Sequence, residues 1–112
     1  MSRIMRGTGT VDDISREITT AVKRSGFTAE LIDSIVKTSG GFKVRILIFE
    51  KYFMRSSNRA GLTVVISGEN GNVEVNAVGS GGSQNALFRF SWGTEQSFEN
   101  TVFRHLRSLG FK

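Results

Sequence analysis

Two short stretches hold most of the side chains that could do chemistry. Residues 49–61 read FEKYFMRSSNRAG, and residues 78–92 read VGSGGSQNALFRFSW. On the run at 43–55, which overlaps the first stretch, one strand parity carries Lys43, Arg45, Leu47, Phe49, Lys51, Phe53 and Arg55. Cations interleaved with aromatics on one face are how many single-stranded nucleic-acid binders track a backbone and stack its bases. The same pattern arises when the aromatics are core and the cations are rim. Lys43, Arg45, Phe49, Lys51 and Arg89 are therefore the candidate nucleic-acid face.

The second stretch opens with Gly79-Ser80-Gly81-Gly82-Ser83-Gln84. A phosphate cradle needs glycines that lead into a helix N-terminus, where free N–H groups and the helix dipole meet the anion. Here an alternating strand pattern follows instead, and the Gly-Lys-Ser/Thr ending of a P-loop is missing. A strand connection with several positive-φ positions fits better. Both stretches are rich in small hydrogen-bond donors. Arg55, Asn58 and Arg59, with Ser80, Gly81, Gly82, Ser83, Gln84 and Arg89, form the candidate binding set for an anionic small molecule. That set requires the two loops to meet in space.

Catalysis finds little support. The single histidine, His105, reads as a half-exposed position on the last helix. Glu50 sits in an apolar strand centre, where burial would raise its pKa; pairing with an arginine, or a strand end, is the plainer reading. No Ser-His-Asp set or carboxylate pair stands out. The chain has no cysteine, which excludes disulfides and thiolate zinc sites. The expectation is a protein that is no enzyme, with no metal and no cofactor.

The elements that must position these residues follow from spacing. Residues 1–8 read as a first strand. Thr10 is placed to cap a helix, with Asp12 and Asp13 in the first turn and Lys23 and Arg24 in the last, matching the dipole. Val11, Ile14, Ile18, Ala21 and Val22 make its apolar stripe, and Gly26 is its stop. Residues 28–37, TAELIDSIVK, fit a helix or a strand. The long run at 43–55 needs a partner, so strand is preferred, with Ser39-Gly40-Gly41 as the hairpin turn.

That run is apolar on both parities, which predicts a central strand covered twice, or covered once and used for binding. Strands at 62–67 and 73–79 follow, joined at Asn70-Gly71, the strongest short hairpin signal. ALFRFSW (86–92) alternates as one more strand. A last helix starts at Thr94, with Phe98, Val102, Leu106 and Leu109 as its stripe and Gly110 as its end.

Strand, helix, four or five strands, helix is an α+β order: an antiparallel β-sheet with both helices packed on one face. It is similar to the order of TATA-binding-protein-like and helix-grip folds, a likeness that implies nothing about DNA. Residues 1–112 make one domain. The longest apolar run, Ile46-Leu47-Ile48-Phe49, is far too short to cross a membrane. The start has no signal-peptide pattern, so a cytoplasmic setting is expected. Fifteen basic against ten acidic residues give +5, which favours an acidic partner.

FEKYFMRSSNRAGLTVVI and AVGSGGSQNALFRFSWGTEQSF together resemble the hallmark segments of a family of small bacterial proteins known only as a domain of unknown function. The resemblance runs from Phe27 onward. Its characteristic positions are Glu50, Lys51, Tyr52, Arg55, Asn58, Arg59, Gly79, Gly81, Gly82, Phe88, Arg89, Trp92 and Gly93. It implies a stand-alone bacterial cytosolic protein and no catalytic residue, and it supports a strand at 28–37. Three functions stand together: a non-catalytic module for an anionic small molecule or partner, a nucleic-acid binder, and a homodimer joined through an open sheet face bearing Leu47, Phe49, Val65 and Leu87.

Overall fold

A computed structural model describes residues 3–24, 29–53, 58–81 and 101–112. Strand β1 (Arg3–Thr8) leads into helix α1 (Val11–Arg24). Four strands follow: β2 (Glu30–Ser39), β3 (Phe42–Phe53), β4 (Asn58–Glu69) and β5 (Asn72–Gly81). Helix α2 is described over 101–108. All pairings are antiparallel, and the sheet order is β1-β5-β4-β3-β2. The fold is thus the α+β sheet with two helices that the spacing predicts.

Local chemistry explains each joint. The Asp13 N–H bonds the Thr10 hydroxyl at 3.0 Å, so Thr10 caps α1 as expected. Asn70 and Gly71 both take positive φ, 56° and 81°, the backbone of a type I′ hairpin turn between β4 and β5. From Glu30 onward the ambiguous segment is strand β2, hydrogen-bonded to β3 along its length, with a bulge between Leu31 and Asp33, while Thr28 lies outside the described residues.

The core lies between one sheet face and both helices. Leu47 and Phe49 of β3, Leu62, Val64 and Ile66 of β4, and Val75 and Ala77 of β5 form its floor. Ile14, Ile18 and Val22 descend from α1, and Val102, Phe103 and Leu106 from α2. Leu109 differs from its expected place: it is 41% exposed. The helix ends before it. Gly110, at φ 94°, reverses the chain. The Gly110 N–H then bonds the Arg107 carbonyl, and the Phe111 N–H bonds the Leu106 carbonyl, both at 3.0 Å. This is a Schellman close, with Phe111 and Leu106 as its apolar contact.

The reversal sends the tail onto β1. Lys112 and Arg6 exchange two backbone hydrogen bonds, at 2.8 and 2.9 Å. Phe111 packs flat over Gly7, where any Cβ would lie 2.5–2.6 Å from three ring atoms. Since β1 also leads into α1, α2 runs back toward the start of α1.

Candidate functional site

The basic and aromatic parity of β3 is the covered one, and this corrects the open-face expectation. Phe49 is fully buried under the helices, so its ring has no face to offer a base. Lys43 Nζ and Arg45 Nη2 hold the two oxygens of Asp12 on α1, at 3.0 and 3.1 Å. Arg45 Nη1 also donates to Ser34 Oγ at 3.1 Å. These two cations fasten the first turn of α1 to the sheet. Lys51 shares the same parity and is half-buried; burial pushes its ammonium below the ordinary 10.5. The homodimer face as expected also does not form, because Leu47 and Phe49 belong to the core while Val65 points to the opposite side.

Hydrogen bonds from Lys43 and then Arg45 hold the Asp12 carboxyl below its usual 3.8. A carboxylate with a lowered folded-state pKa adds stability that is complete above its unfolded value and is lost as pH falls through the folded one. Asp12→Asn is therefore expected to unfold more easily than the parent near neutral pH. The gap should shrink as pH drops below 3.8. Denaturant titrations at a series of pH values check this, and a constant gap would show that the charge is not the cause.

At the other end of the sheet, β4 and β5 bring part of the candidate anion set together. Ala60 pairs with Gly81 and Gly61 with Ser80, so Asn58 and Arg59 share an end of the sheet with Ser80 and Gly81. Two details differ from the loop reading. Asn58 and Arg59 already belong to β4, and Gly79-Ser80-Gly81 continues β5. Arg59 is also not without an acid: its Nη1 lies 3.2 Å from Glu50 Oε1. That pair is the arginine partner anticipated for Glu50. Arg55, Gly82, Ser83, Gln84, Leu87 and Arg89, the strand expected at 86–92 and the start of the last helix at Thr94 lie outside the described residues.

Two further arginines without a carboxylate partner among the described residues sit on the helices. A groove of about 820 Å³ runs between α1 and α2, lined by Arg16, Arg24, Arg104 and His105 among others. Arg16 pairs with Asp13 one turn away. His105 Nε2 and Glu17 Oε1 lie 2.8 Å apart and tie the two helices together. No carboxylate of the described residues pairs with Arg24 or Arg104. The hydroxyls of Thr20, Thr101 and Ser108 line the same groove. The places of Arg24 and Arg104, in the last turn of α1 and late in α2, suit the helix dipoles. Spacing along the chain gives no sign that both line one groove, which only tertiary packing creates. Among the described residues, no group of His, Asp and Glu could hold a metal ion.

An antiparallel five-stranded sheet carrying two helices on one face, in helix-grip-like order, defines the class: a small α+β domain. The chain belongs to a family of unknown function, DUF6054, matched over residues 1–110. The match includes the first 26 residues, which the two hallmark segments do not touch. No curated protein matches the chain. The crystal structure of TTHA0849 from Thermus thermophilus is similar over 96% of this chain and 94% of that one. The identity is 11% and the TM-score 0.34, values at which the likeness carries no argument.

Proposed function

We propose that the protein is a non-catalytic binding module for an anionic partner, engaged in the groove between α1 and α2. One observation carries the reading: Arg24 and Arg104 line one groove from facing helices, with no carboxylate partner among the described residues, and the Thr20 hydroxyl lines the same groove. Guanidinium groups suit planar and multidentate anions, and hydroxyls add directional bonds. The net charge of +5 would draw such a partner from a distance. The absence of cysteine suits the cytosolic setting that goes with this reading.

Calorimetric titration at low ionic strength tests it, with inorganic polyphosphate and a single-stranded oligonucleotide as separate probes. Binding should weaken with salt. The double variant Arg24→Ala/Arg104→Ala should lose about tenfold or more in affinity, the scale of a charged hydrogen bond. Arg59→Ala should bind as the parent does. If Arg59→Ala abolishes binding and the double variant does not, the sheet end is the site. Absence of binding to both probes sinks the proposal.

A further inference from the structure

The edge strand β2 is unusually bare for its length. Among the described residues it pairs with β3 alone, at the end of the sheet order, and no described strand lies along its other edge. Ile32, Ile35 and Val36 are 50%, 37% and 46% exposed. A long edge with exposed aliphatic side chains is a template for another strand. Proteins usually blunt such edges with charges, and β2 does carry charges. Their order, however, is self-complementary.

Residues 33–37 read Asp-Ser-Ile-Val-Lys. Asp33, Ile35 and Lys37 share the sheet face turned away from the helices, since their β3 partners are Ile48, Ile46 and Val44. An antiparallel pair of two such strands, centred on Ile35, sets Asp33 opposite the partner's Lys37 and Lys37 opposite the partner's Asp33. Ile35 then faces its own copy on the two-fold axis. Every element of the pattern is satisfied twice by the same residues, which is what an isologous two-fold interface requires. The bulge between Leu31 and Asp33 lies just outside this segment, so it limits the ladder to the self-complementary residues. In the single chain, Asp33 Oδ1 accepts a hydrogen bond from the Ser34 N–H at 2.8 Å, so forming the pair exchanges that local bond for a cross-strand one.

We propose that the protein forms a homodimer by antiparallel β2–β2 pairing about Ile35, joining two five-stranded sheets into one. Opposite charges set directly across a strand pair are favourable, and like charges there are unfavourable. Asp33→Lys or Lys37→Asp puts like charges in both positions, while the double exchange Asp33→Lys/Lys37→Asp restores them.

Light scattering on the full chain, read against a monomer mass of 12.3 kDa, should show twice that mass. Each single exchange should weaken the dimer by about tenfold or more, and the double exchange should recover it. The chain has no native cysteine, so cross-linking gives an independent reading. Under mild oxidation, Ile35→Cys should form a covalent dimer, because residues facing each other across an antiparallel pair have Cα atoms about 4.5–5.5 Å apart, within disulfide reach. Thr38→Cys should not, because its copy would lie six residues along the partner strand, about 20 Å away. A monomer at all concentrations overturns the proposal. So does a dimer in which Ile35→Cys fails to cross-link, which would point to face-to-face packing of the open sheet or another partner surface. Circular dichroism on each variant confirms that the fold is intact.

Discussion

Phe111→Ala should cost about 3–5 kcal/mol of folding stability, the usual loss for truncating a buried phenylalanine. Domains of ordinary size have only about 5–15 kcal/mol in all. Phe111 is 3% exposed and is held from two sides: the Schellman close sets it against Leu106, and its ring covers Gly7. A companion variant isolates the second contact. Gly7→Val forces a side chain into ring atoms 2.5–2.6 Å away, which a packed core resists. The same change made on the Phe111→Ala background should cost clearly less, because the obstructing ring is gone and the two sites are coupled. Urea denaturation of the four proteins closes the cycle. Additive costs would mean that the ring does not sit where Gly7 needs space.

Leu106→Asp and Val22→Asp should each abolish the folded state. Both side chains are fully buried, one under each helix. An unpaired carboxylate there loses its hydration without gaining a partner, at a cost of several kcal/mol. Leu109→Asp is the control. It lies on the same stretch of chain but is exposed, and it should fold normally with a change within about 0.5 kcal/mol. Proton NMR dispersion distinguishes the outcomes. If Leu109→Asp unfolds the protein and Leu106→Asp does not, the α2 face has been assigned the wrong way round.

That contrast marks where sequence reasoning stops. The α1 stripe, its Thr10 cap and the Asn70-Gly71 hairpin are legible because each is decided by neighbours within a few residues. Leu109 and Phe111 are not. Helical spacing extends the stripe through Leu109, whereas the reversal at Gly110 ends it and brings in Phe111. The two faces of β3 pose a related problem. Alternation shows that both parities are apolar, but nothing local says which one the helices cover. Only the partner, Asp12 on α1, shows that Lys43 and Arg45 serve the covered side. The inter-helix groove is the extreme case, because Arg24 and Arg104 come to line one groove only through packing. Glu50 was legible for the opposite reason: a carboxylate amid apolar strand residues needs a cation, and the antiparallel β3–β4 register places Arg59 close by.

The pairing of β1 with β5 has a kinetic meaning. Strands β2 to β5 form a meander in which each strand meets the next through a short connection, so their contacts close small loops. Strand β1 must instead meet residues near the far end of the meander, Arg3 beside Ala77 and Thr8 beside Asn72, and then receive Lys112 on its other edge. Long-range pairings of this kind carry their loop-closure cost before they gain contacts. The expected order is hairpins first, with β1 and the C-terminal residues docking late. Mutations at Met5 or Phe111 should then act mainly by speeding unfolding, while changes in the β4–β5 turn should slow folding. Chevron plots would reverse that order if β1 were part of the nucleus. The same seam between the two ends of the chain is thus where the native state would first come apart.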